Sequence, residues 1–220
     1  MRTLLSLAAL ALLAAPLPAA ACSVASGYRV PTNLELVQRA DLILLADVVD
    51  GASAPGSEEE MQIRIRPIAA LKGTIPTGPI TLPGAMLDGA TELSNPYDLE
   101  QPHPQSLAGA CIRYAFPHGS RVLFFLKADG DGWAPSAPPF SRWAEDALGD
   151  DAPWLQAVRF YAEVGALPEG ERKAAMTARR DALKAQDSDP VAQIVAADID
   201  RQLAGPNKPL RKELPPPPAN

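Results

Sequence analysis

The sequence predicts an α+β fold that is mainly β, with a small antiparallel barrel or sandwich in front and helices behind. Three observations predict it. Apolar residues between Asp41 and Pro135 follow the short periods of strands, and past Trp143 the period turns helical. Twenty-four prolines in 220 residues, about twice the usual share, break the chain into short elements joined by turns.

The chain opens on a charged start, Met1-Arg2-Thr3, followed by the Leu/Ala run from Leu4 to Ala15. Pro16 to Ala21 then closes in small residues, with an A-x-A pattern at Ala19 and Ala21. Residues 1–21 are the pattern of a secretory signal peptide, so export to the periplasm or the extracellular space is expected. The apolar run is shorter than the roughly 20 residues a membrane span needs, and no later stretch approaches that length, so no transmembrane segment is predicted. Pro18-Ala19 stands where a lipid-attachment signal prefers leucine, so cleavage after Ala21 is expected ahead of lipidation, with Cys22 as the new first residue.

Residues 22–148 read as the barrel. Thr32-Asn33-Leu34-Glu35 is a capping box, and Leu34 and Val37 follow at helical spacing, which predicts a short helix to Arg39. Asp41 to Val49, "DLILLADVV", is apolar on both alternating faces until Asp47, as in a strand covered on both sides. Met61 to Gly73 alternates Met61, Ile63 and Ile65 with Gln62, Arg64 and Arg66, giving one wet face, and Pro67 predicts a bulge, bend or edge. "GPITLPG" is a short third strand. Arg121 to Lys127 is an apolar strand, and Asp129-Gly130-Asp131-Gly132 turns it into a return beginning at Trp133. Leu44, Val48, Ile65, Leu82, Val122, Phe124 and Leu126 are the expected barrel core.

Residues 149–205 read as helical. Asp151 is the expected cap of a helix with Pro153 in its first turn and Trp154, Leu155, Val158, Tyr161 and Ala162 as its buried stripe, ended by Gly165. A second helix from about Pro168 to Lys184 has a thin apolar face through Met176 and Leu183. Asp189 caps a third, opened by Pro190, with Val191, Ile194, Val195, Ile199 and Leu203 on one face until Gly205-Pro206. Residues 206–220 form a proline-rich tail expected to be solvated and disordered.

The formal charge is −6, and basic residues cluster only in pairs, among them Arg172-Lys173 and Arg179-Arg180 on one helical stretch. Nucleic acid is therefore not an expected partner, because a phosphate backbone demands a basic face. No G-x-S-x-G elbow, phosphate loop, dinucleotide glycine pattern or H-E-x-x-H occurs. His118-Gly119-Ser120 sets a serine near a histidine, but residues so close on a turn seldom meet as nucleophile and base. Asp129 and Asp131 are explained by the turn without calcium. Trp133, Phe140, Trp143 and Trp154 read as core rather than ligand platforms. The expectation is a protein that is not an enzyme and carries no cofactor.

Cys22 and Cys111 are the only cysteines. In an exported chain two distant cysteines are expected to pair, which would add roughly 4–5 kcal/mol for a loop of this length. A metal centre of Cys22, Cys111, His103 and His118 is the alternative, but no C-x-x-C or H-x-x-x-H spacing supports it and no metal is predicted. His103, between two prolines, and His118, after Pro117, read as ordinary loop residues.

Four stretches in order carry a family resemblance: Cys22-Ser23, "ADLILLADVV" from Ala40, "IRIRPIAALKG" from Ile63 with its closing Lys72-Gly73, and Cys111 followed by "FPHGSRVLFFLKADGDG". The later "FSRWAEDAL" adds to them. Over Cys22 to Leu148 the chain resembles the netrin-like, OB-fold domain of the tissue inhibitors of metalloproteinases. The resemblance implies an OB-fold barrel and a disulfide from Cys22 to the cysteine before the central hairpin, Cys111. It further implies that the free α-amine and first carbonyl of Cys22 ligate the catalytic zinc of a protease, with Ser23 entering its specificity pocket. Val24 stands where the family has its second cysteine, its other two disulfides are absent, and the segment from Gly84 to Ala110 is much longer than the family's loop.

The expected function is therefore that of an exported, non-enzymatic protein-binding module directed at an extracytoplasmic protein, a zinc metalloprotease on the family's pattern, through Cys22 and Ser23. The alternative is an envelope-anchored lipoprotein with a structural or assembly role, in which Cys22 carries lipid and the helices from Asp151 to Leu203 make the contacts.

Overall fold

The computed structural model describes residues 24–53, 61–87, 93–107 and 111–210. Helix α1 (Asn33–Arg39) comes first, and its capping box is complete: the Thr32 side chain accepts from Glu35 N, and Glu35 accepts from Thr32 N. Strands β1 (Leu42–Ser53), β2 (Met61–Lys72) and β3 (Ile80–Pro83) follow, then the short β4 (Ala85–Leu87) and β5 (Ala115–Pro117). Strands β6 (Arg121–Asp129), β7 (Gly132–Pro135) and β8 (Ala144–Asp146) complete the β region. Helices α2 (Pro153–Ala166), α3 (Glu169–Lys184) and α4 (Pro190–Leu203) end it.

The main sheet is antiparallel in the order β3-β2-β1-β6-β7, with β8 pairing β6. Its third strand comes back against β7, so the sheet nearly closes into a barrel. The fold is thus α+β, an antiparallel barrel followed by helices. A separate parallel pair, β4 with β5, lies against it.

Two apolar clusters explain why β1 and β6 are hydrophobic on both faces. Leu44, Ala46 and Val48 from β1 meet Val122, Phe124 and Leu126 from β6 inside the barrel, together with Ile65 and Leu82. All seven residues expected in the barrel core belong to that one cluster. Phe116, Phe124 and Trp143 form its aromatic centre, with ring centroids 5.7–5.8 Å apart. The alternate residues Ile43, Leu45, Leu123 and Phe125 face outward into a second cluster with Trp154, Leu155, Val158 and Tyr161 of α2 and Val195 and Ile199 of α4. The helices therefore pack directly on the barrel wall.

Pro67 causes a bulge. Leu45 pairs with Ala69 and Ala46 with Pro67, so Ile68 is the extra residue, and β3 pairs only with Gln62 to Ile65, before the proline. Lys72 closes β2 by donating to Val37 O, Gln38 O and Ala40 O at 2.8, 3.1 and 2.5 Å, which satisfies the end of α1. Burial pushes the Lys72 ammonium pKa down, against the attraction of Asp41. Gly73 then turns with φ of 79°, where a Cβ would lie 2.8 Å from Asp41 O, so only glycine fits.

Two helix boundaries differ from the sequence expectation. The N-cap of α2 is Ala152, with no side-chain bond, rather than Asp151, because Pro153 in the first turn already sets the helical φ. Gly165 lies inside α2, which ends at Ala166, before Leu167-Pro168. Asp189 caps α4 as expected, accepting from Val191 N and Ala192 N. Among the described residues no helix is long and apolar enough to cross a membrane.

Candidate functional site

Cys22 and Ser23, the residues the sequence singles out for partner binding, lie outside the described residues, and with them the predicted Cys22–Cys111 bond. Cys111 is described. It is buried at 1% exposure with a left-handed backbone, φ 63°, and its carbonyl accepts from Phe140 N at 2.8 Å. Phe140 is itself left-handed, φ 60°. Such backbone costs a non-glycine residue about 1–2 kcal/mol, so tertiary contacts must hold both residues in place.

The first described residues are fastened at this point. Tyr28 Oη donates to the carbonyl of Pro139, the neighbour of Phe140. Leu210 N donates to Tyr28 O at 2.9 Å, and Asn207 Nδ2 donates to Val30 O at 3.0 Å. Arg29 grips Glu35 with both terminal nitrogens, at 2.7 and 2.6 Å. Burial raises the Tyr28 hydroxyl pKa, with Arg39 opposing. Residues 28–30 are therefore held between the segment at Pro139 and the segment at Asn207–Leu210, and Tyr28 stands six positions after Cys22, an extended reach of roughly 20 Å.

A cluster of buried charges surrounds β8. Arg113 Nη2 meets Asp146 Oδ1 at 2.9 Å, and Ser94 donates to Asp146 Oδ2 through both its N–H, at 2.8 Å, and its hydroxyl, at 2.9 Å. One residue earlier, Glu145 Oε2 accepts from Arg142 at 2.9 Å and Oε1 from His103 N at 3.0 Å. Arg142 also donates to Asp98 O at 2.7 Å, and its guanidinium lies 4.7 Å from the Trp154 ring. Burial pushes the Glu145 carboxyl pKa up, against Arg142, and pushes the Arg142 pKa down, against Glu145 and Asp98. Arg113 pairs with Asp146 and Arg142 with Glu145, with the Asp98 carboxylate 3.9 Å from Arg142, and through these groups the excursion 93–107 is clasped to the barrel.

His103 is a correction to the sequence reading. It is fully buried within this clasp, and its Nδ1 accepts from Gln105 N at 3.2 Å. His118 does lie on an exposed turn. Ser120 Oγ is buried without a hydrogen-bond partner, so His118 and Ser120 do not form a nucleophile–base pair. Among the described residues no group of three or more His, Cys, Asp or Glu side chains is placed to hold a metal.

Sequence reasoning also missed the polar joint under the helices. Asp198 of α4 accepts from Tyr161 Oη at 2.5 Å, Asn33 Nδ2 at 2.9 Å and Arg201 at 2.9 Å. Asn33 donates as well to Leu99 O at 2.7 Å, so α1, α2, α4 and the excursion meet at one carboxylate. Burial raises the Tyr161 hydroxyl far above its usual range, with the Asp198 charge adding to it. For the clasp around β8, by contrast, the available signal was the run Arg142-Trp143-Ala144-Glu145-Asp146-Ala147, charges set inside an apolar stretch.

Comparison of the chain with family models, with curated proteins and with solved structures finds no match.

Proposed function

We propose that the protein is an exported, non-enzymatic protein-binding module whose presenting element is the processed Cys22 terminus, tied to Cys111. The observation that carries this reading is the fastening of residues 28–30 beside Cys111, through Tyr28 to Pro139 and Phe140 to the Cys111 carbonyl. A terminus tied there loses little further freedom when a partner binds, and pre-ordering of that kind lowers the cost of association.

The barrel is read as an OB-fold of the netrin-like kind. Support comes from the order of its five main strands, third-second-first-fourth-fifth, with the third returning to the fifth, as in a partly open five-stranded Greek-key barrel. On that reading the neutral α-amine and carbonyl of Cys22 form a small chelate on a protease zinc, and Ser23 enters the neighbouring pocket.

The test is a single-residue extension. The processed protein and a form with one alanine before Cys22 are assayed against a panel of zinc metalloproteases with a fluorogenic peptide. Inhibition by the processed form, weakening as pH falls below the α-amine pKa near ~7.7, and its loss in the extended form at unchanged thermal stability are the expected results. Equal inhibition by both forms rules out chelation by the terminus.

A further inference from the structure

The turn after β5 borders a groove of about 430 Å³ lined by Leu93, Pro117, His118, Arg121 and Leu148. Exposed leucines stand on its rim. Leu93 is 45% and Leu148 63% exposed, and Leu87, 40% exposed, adjoins it by pairing with Pro117 and accepting from His118 N through its carbonyl. Leucines gathered around a concavity mark an interaction surface more strongly than leucines scattered singly.

The charges at this groove point to one kind of occupant. Asp146, the carboxylate on its lining, is nearly fully buried and already holds Arg113 and both donors of Ser94. His118 is exposed. Arg121 reaches Asp150, whose side chain is 88% exposed, and a pair of that kind is worth little in water and is readily exchanged. The groups open to an incoming chain are thus an imidazole and a guanidinium beside an apolar trough.

We propose that this groove seats an extended segment of a partner protein, an apolar side chain between Leu93 and Leu148 with a carboxylate next in sequence meeting Arg121 and His118. Its walls are held by the buried pair Arg113–Asp146 and by the backbone of β8, so the trough is set before the partner arrives. The inference rests on the protein-binding reading but not on the Cys22 terminus.

The experiment uses the whole processed protein with methyl-labelled leucines and two blocked tetrapeptides, acetyl-ALDA-amide and acetyl-ALKA-amide. The acidic peptide is expected to shift the Leu93 and Leu148 methyl resonances saturably, at least about fivefold more tightly than the basic one. Leu148→Asp, at an exposed position, should weaken it at least about tenfold while the Leu44 and Leu126 methyls keep their positions, and Arg121→Gln should abolish the preference for the acidic peptide. Absence of saturable shifts, equal binding of the two peptides, or binding that survives Leu148→Asp overturns the proposal. Because the alanine-extension assay does not involve the groove, a failure here leaves the terminal reading standing, and a failure there leaves the groove.

Discussion

Phe140 donates its amide N–H to the Cys111 carbonyl at 2.8 Å, and these two are the non-glycine residues among those described whose backbone is left-handed. Two unfavourable conformations joined by one bond need a restraint outside the pair. The proposed Cys22–Cys111 disulfide supplies it from one side, and Tyr28 bonding to Pro139 supplies it from the other. Cys111→Ala should therefore lower stability by roughly 2–5 kcal/mol in chemical denaturation. Reductant should cause the same loss in the wild type and none in the variant. A variant as stable as the wild type would remove the bond from the account.

The clasp around β8 makes a separate prediction. Asp146→Ala leaves the Arg113 guanidinium buried at 0% exposure without its carboxylate, a change that costs about 3–5 kcal/mol in comparable buried pairs. Hydrogen exchange in residues 93–107 should accelerate most, because Ser94 loses its acceptor at the same time. Unchanged protection of that segment would show that its hold lies elsewhere.

Within the barrel, Phe124→Ala empties the centre of the Phe116–Phe124–Trp143 group and should cost roughly 3–5 kcal/mol. Arg64→Ala, on the wet face of β2 with its side chain 56% exposed, should change stability by less than about 0.5 kcal/mol. Urea midpoints of the two variants measure the contrast, and equal losses would contradict the burial pattern.

Helix α1 carries the clearest pH dependence. The Arg29 hydrogen bond holds the Glu35 carboxyl below the ordinary carboxylate range, with burial opposing and the Thr32 N–H assisting. A depressed carboxyl stabilises the fold above its unfolded pKa, near ~4.3, and that contribution is lost as pH falls through the folded value. Thermal midpoints of Glu35→Gln should therefore fall less steeply with acid than those of the wild type below about pH 4.5, and parallel curves would count against the coupling.

Tyr161→Phe removes the 2.5 Å donor to Asp198 at the joint of α1, α2 and α4, and should cost about 1–3 kcal/mol by calorimetry. A neutral outcome would mean that Asn33, Arg201 and Gln202 satisfy that carboxylate without it.

What was legible in the sequence was local. The cap of α1 is written in Thr32 and Glu35, that of α4 in Asp189-Pro190, and the bulge of β2 in Pro67, each decided by residues a few positions apart. The double-sided apolar run of β1 announced a strand covered on both faces, although not that α2 and α4 were the cover. Ser94 meeting Asp146, and Asn33 meeting Asp198, escaped because the partners are remote in the chain and nothing near either one signals the other. His103 shows the same limit: flanking prolines mark a loop, but the burial of that loop follows from carboxylates on β8. The parallel pair β4–β5 lies in three-residue strands, too short for a period to show.

The most direct test of the account is the intact mass of the protein after export, native and reduced. A chain running from Cys22 to Asn220 that gains about 2 Da on reduction is the predicted result, since an S–S bond takes up two hydrogens. A mass that does not change on reduction, or one heavier by the hundreds of daltons of an acyl anchor, would contradict a free Cys22 terminus tied to Cys111.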